Sequence, residues 1–138
     1  MSIKIVHLNV EPFNQCLDVF INIKTESDIN KINTYINEQY KPIQDIEIGD
    51  DIFTTAGCFY YFPCKKYIYR CIFLKEFNLK NIDDYSNFIH ELYHALYDII
   101  NQVEVQTKDK YNELMAYLLD CNLNNFLKAI KEKIYEKI

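Results

Sequence analysis

Two apolar stripes at helical spacing fix the shape of the second half of this chain. Between residues 83 and 103, Tyr85, Ile89, Leu92, Leu96, Ile99 and Val103 recur every three or four positions, which is the period of one helix face. From about Lys110 to the C-terminus, Tyr111, Leu114, Met115, Leu118, Leu119 and Phe126 form a second, broader face. Asn81 or Asp83 can cap the first helix, and acidic Asp83 and Asp84 suit its positive N-terminus. The connection Glu104–Asp109 is short and polar, so the second helix is expected to return along the first. Lys128, Lys131, Lys133 and Lys137 are interleaved with Glu132 and Glu136, which reads as a solvated helix end.

The first half is mixed. A strand is expected through Ile3–Val10, ended before Pro12. Cys16–Ile23 alternates, with Leu17, Val19, Ile21 and Ile23 on one face, as a half-buried strand does. Thr25–Tyr40 reads as a helix capped by Thr25 or Ser27, with Ile29, Ile32 and Ile36 on one face and Pro42 as its stop. Residues 56–74 are rich in Phe, Tyr, Ile and Cys around Pro63-Cys64-Lys65-Lys66, a hairpin signal. The expected architecture is a single α+β domain over residues 1–138, with a small, mostly antiparallel sheet packed against helices.

Composition removes several function classes. Fifteen Lys and Arg against 20 Asp and Glu leave a net charge of −5, and no basic cluster offsets it, so binding to a nucleic-acid backbone is not expected. No apolar run approaches the ~20 residues of a membrane span. Lys4, His7 and Asn9 interrupt the N-terminus, which makes it a poor secretory signal. The expected setting is cytoplasmic, with no membrane partner. Five cysteines in no CxxC spacing argue against a disulfide framework or a thiolate knuckle. Cys64, in the turn after Pro63, is expected to be the most exposed thiol. Two glycines, Gly49 and Gly57, are too few for a glycine-rich phosphate loop.

Residues 90–94 read His90-Glu91-Leu92-Tyr93-His94, an H-E-x-x-H sequence. Two histidines four residues apart leave a helix on one side and can grip one metal ion. Glu91, beside them, is placed to act as general base on a metal-bound water, and zinc suits imidazole ligands with an open position for that water. The pair lies away from the apolar stripe, so the residues do not read as core histidines. A third ligand is needed, and no histidine follows His94, which excludes the long metzincin pattern. Asp98, one turn after His94, can bind the metal or accept a hydrogen bond from a ligand histidine. Glu113, on the return helix and off its apolar face, is the preferred carboxylate ligand.

This constellation resembles the gluzincin class of zinc metallopeptidases, and the Glu113-x-x-Ala116 step is similar to ImmA/IrrE-like peptidases. The layout also resembles small metallopeptidases encoded by phages and prophages, which carry E-x-x-A-Y-L on a final helix. Here that element reads Glu113-Leu114-Met115-Ala116-Tyr117-Leu118. The resemblance covers about residues 85–120. It implies one Zn2+ held by His90, His94 and Glu113, with Glu91 as general base. Tyr117 stands where thermolysin-like enzymes carry an aspartate, so Asp98 or Asp120 would support the ligands instead. Tyr117 and His7 are the candidates for stabilising the oxyanion. Zincins commonly bind substrate as an extra strand on a sheet edge, and Tyr67–Leu74 is the expected edge.

The expected function is therefore a minimal zinc metallopeptidase acting on an intracellular protein or peptide. The first rival is a non-catalytic metal-binding interaction protein, such as a virion component or an inhibitor of a host system. The second is a nucleic-acid-binding regulator, which the acidic balance opposes. Oligomeric state is not legible in the sequence.

Overall fold

Burial separates the centre of one sheet from its rim. The computed structural model describes residues 2–103 and 108–138. Five strands, β1 (Lys4–Val10), β2 (Gln15–Ile21), β3 (Gly57–Pro63), β4 (Ile68–Leu74) and β5 (Glu136–Lys137), lie in the order β3-β4-β2-β1-β5. All neighbours are antiparallel except β2 and β4, which run parallel. β2 and β4 are buried along nearly their whole length, as strands covered on both faces must be. β3 is only half-buried and takes the rim.

Helix α1 (Glu26–Tyr40) covers one face. Thr25 caps it in a reciprocal box with Asp28, and Ile29, Ile32 and Ile36 are buried, as the sequence predicted. They pack with Ile3, Ile5, Phe20, Cys71 and Phe73. Helices α2 (Ile82–Gln102) and α3 (Lys108–Glu132) cover the other face, where Val6, Leu8, Leu17, Val19, Ile72 and Leu74 meet Phe88, Leu92, Leu96, Leu118 and Phe126. Phe88 and Phe126 stack at 4.0 Å and tie α2 to α3. The molecule is thus an α+β three-layer sandwich with a core on each side of the sheet. No helix among the described residues is long and apolar enough to cross a membrane.

Several expectations are corrected. β2 is not half-buried, because the sheet is covered on both sides. Ile23 belongs to the α1-side core, whereas Leu17, Val19 and Ile21 face α2. The C-terminus does not end as a helix. Lys133 adopts φ 57°, and Ile134 N–H donates back to the Ala129 carbonyl at 2.9 Å, a left-handed stop that turns the chain into β5 beside β1. Cys64 is buried, and Cys16 is the exposed thiol instead, because the turn after Pro63 folds back over α1's side of the sheet. Of the predicted connection Glu104–Asp109, residues 104–107 lie outside the described residues.

A polar cluster threads the α1 face. Asp18, fully buried on β2, accepts His7 Nδ1 at 2.6 Å and Cys16 Sγ at 3.4 Å on Oδ1. Its Oδ2 accepts the hydroxyls of Tyr40 at 2.6 Å and Tyr69 at 2.7 Å. His7 Nε2 reaches Glu136 of β5 at 2.9 Å. The Asp18 hydrogen bond is the main cause that lifts His7 to about 11. Burial pushes the Tyr40 and Tyr69 hydroxyls far up, so both remain donors.

Candidate functional site

Helix α2 is fastened at its start, which fixes its rotation. The Asn81 side chain accepts from Asp83 N–H, and buried Asp84 accepts from Asn78 N–H at 2.8 Å. The buried residues are Phe88, Leu92, Ala95, Leu96, Ile99 and Ile100. Ile89 and Val103, expected in the stripe, are partly exposed. The core face is therefore turned slightly toward Phe88, whose ring finds Phe77 and Phe126. At about 100° per residue, His90 and His94 stand opposite this face, and both are exposed.

The two imidazoles converge. His90 Nε2 and His94 Nε2 lie 3.1 Å apart with the rings near-perpendicular at 79°. Two nitrogens on one tetrahedral zinc would be separated by roughly 3.3 Å. The pair thus fits one face of a zinc ion. Glu91 and Asp98 leave α2 on the side toward the sheet and are half-buried. Glu91, His94 and Asp98 line a cleft of about 420 Å³ with Gly57, Cys58, Phe59 and Tyr97. On the other flank, Tyr93 stacks on Tyr97, and Tyr97 meets Tyr111 of α3 edge-on.

The strand that borders this cleft is β3, not the expected Tyr67–Leu74. β4 lies second in the sheet, because its continuous apolar run needs cover on both faces. Gly57, one of two glycines in the chain, lets β3 pass close to the helix. A Cβ there would lie 3.2 Å from Glu91 Cγ, 3.1 Å from Leu74 Cδ2 and 3.3 Å from the Phe73 carbonyl oxygen. The carbonyl is backbone and cannot yield. Gly57→Val is therefore expected to displace the Glu91 side chain. If the chain cleaves peptides as the resemblance implies, that displacement lowers cleavage by at least about tenfold with metal content unchanged, read by peptide digestion beside metal analysis.

Arg70 supports the cleft from below, a role the sequence reading missed. It is buried on β4 and donates Nε–H to Asp98 Oδ2 at 2.7 Å, with further bonds to Gln15 Oε1 at 3.1 Å and Gln102 Oε1 at 2.7 Å. The signal was present as the one charged residue inside the apolar run Ile68–Leu74. Asp98 is thereby held by an arginine beside His94.

The remaining residues singled out in the sequence are not brought to the pair. Glu113 is exposed on α3, about 200° around the helix from Tyr111, whose ring meets Tyr97 of α2. Tyr117 is also exposed, and its hydroxyl is raised by a hydrogen bond with Cys121 one turn on. His7 is corrected as an oxyanion candidate. The alternation of β1 sends it to the α1 face, across the sheet from α2, where two carboxylates hold its ring. Among the described residues no group of three His, Cys, Asp or Glu side chains is arranged to hold a metal ion. No protein-family model, curated protein or solved structure matches the chain.

Proposed function

We propose that the protein is a small zinc-dependent peptidase whose metal is gripped by His90 and His94. The observation that carries the reading is the 3.1 Å convergence of their Nε2 atoms beside a cleft that holds Glu91 and is bordered by an edge strand. Zinc held there would supply a Lewis acid for the scissile carbonyl and would acidify a water. Glu91 is placed to accept a proton as the water oxygen bonds to the carbonyl carbon, and to return it to the amine nitrogen as the C–N bond breaks. β3 aligns the substrate backbone along the cleft, and Arg70 holds Asp98 in position beside His94. Asp98, which shares the cleft with His94, is the proposed third ligand; Glu113, the carboxylate that the gluzincin resemblance implies, would serve only if α3 turned its outer face toward the pair.

The exposure of the histidine pair favours one rival, a metal-dependent interaction protein without hydrolysis. Elemental mass spectrometry of the purified, zinc-reconstituted protein tests the proposal. About one zinc per chain is expected, lost in His94→Ala. Loss in Glu113→Ala or in Asp98→Ala identifies the third ligand. Absence of zinc in the reconstituted wild type overturns the proposal. Zinc retained without cleavage of any peptide in a proteome-derived library selects the rival.

A further inference from the structure

The outer edge of β3 runs from the cleft to a second, apolar cavity. The ladder shows which backbone groups face that edge. Cys64 N–H donates to Tyr67 O at 2.8 Å, and Lys75 N–H to Ala56 O at 3.3 Å. The even-numbered residues on the β3 arm are thus the ones that exchange hydrogen bonds with the β4 arm. Antiparallel alternation directs the N–H and C=O of Gly57, Phe59 and Tyr61 outward.

The chain itself already uses this edge once. Ile43 N–H donates to the Pro63 carbonyl at 3.0 Å, and Pro42 forms an antiparallel bridge with Cys64. The edge is therefore built to receive a strand, and this bridge stops the lane at Pro63. At the stop, Pro42, Ile43, Ile46, Phe62 and Pro63, with Gln44 and Asp45 at its wall, line a mostly apolar cavity of about 420 Å³. Ile43 is 70% exposed there, so its side chain is open to a partner.

We infer that β3 and this cavity form one groove for an extended peptide, and that the cavity selects a large apolar side chain of the substrate. Directly opposed residues of a strand pair share a face. A peptide residue opposite Phe59 faces the Glu91 cleft, and one opposite Phe62 faces the α1 side with the cavity. The selected side chain therefore lies about three positions, or ~10 Å, from the residue beside Glu91. The inference rests on the peptidase reading only for the position of the bond. The groove itself needs no metal.

The test uses fluorescein-labelled peptides of about nine residues, alternating Thr and Lys, with one Leu moved through every position. Binding is followed by anisotropy in EDTA. One Leu position is expected to bind about tenfold more tightly than the Leu-free peptide. Ile43→Asp, an exposed substitution, is expected to erase that preference. Tyr61→Pro removes an outward N–H without touching the β4 ladder and is expected to weaken every peptide. Binding that ignores Leu position, or survives Ile43→Asp unchanged, overturns the inference. A dimer in sedimentation that Ile43→Asp dissociates overturns it too, by giving the edge to a second copy. Failure of the peptidase reading would show separately, as missing zinc with peptide preference intact.

Discussion

Replacing Glu91 with glutamine is expected to lower peptide hydrolysis by ~10²–10⁴-fold while one zinc stays bound. Glutamine keeps the length of the side chain, so the packing of Cγ near Gly57 is retained. Only the capacity to take a proton is lost. Neither histidine can replace it, because a ring nitrogen that ligates zinc has no lone pair left for water, and the Nε2 atoms are the ones that converge. Asp98 is a poor substitute, since Arg70 holds its Oδ2. The measurement is digestion of a proteome-derived peptide library followed by mass spectrometry, with wild type and variant at equal zinc content. Equal cleavage by the two proteins would assign the proton transfer to another group.

The second large effect lies on the other face of the sheet. Asp18→Ala removes the common acceptor of His7, Cys16, Tyr40 and Tyr69. It strands two tyrosine hydroxyls and leaves His7 with Glu136 as the remaining one of its two carboxylate partners. A loss of about 3 kcal/mol follows from such unsatisfied groups, and the melting temperature is expected to fall by about 10 °C. The pH dependence carries its own sign. His7 is raised from 6.5 to about 11 in the fold, first by Asp18. The stabilisation is complete below pH 6.5 and is lost as the pH rises through about 11. Wild-type melts should therefore fall across that window, and those of Asp18→Ala should stay flatter. A variant melting within about 2 °C of wild type would show that the cluster is solvated rather than cooperative.

Local signals were legible where one residue decides the outcome. Thr25 or Ser27 marked the start of α1, where Thr25 takes the cap with Asp28 as its unforeseen partner, and Ile29, Ile32 and Ile36 marked its buried side. The His90–His94 spacing wrote the convergence of the two rings. What the sequence hid was long-range. Nothing local tells that β4 inserts beside β2 and pushes β3 to the rim, so the strand bordering the cleft was misassigned. Nothing local tells that Glu136 and Lys137 leave the helical pattern to pair with β1. Asp18 and Arg70 were visible as single charges inside apolar strands, yet their partners lie as far away as Tyr69 and Asp98. Glu113 illustrates the limit of spacing. Its distance from His94 suits a return helix, but the rotation of that helix is set by Tyr111, Met115 and Leu118, which the core claims first.

A sheet with a separate core on each side also insulates. The Asp18 carboxylate bonds the tyrosines of the α1 side, and the Arg70–Asp98 pair under the Glu91 cleft bonds on the α2 side. Substitutions on opposite sides should then combine additively. Robustness could be raised by redesigning the α1 side while the cleft keeps its shape, so stability and chemistry in this protein are separately adjustable.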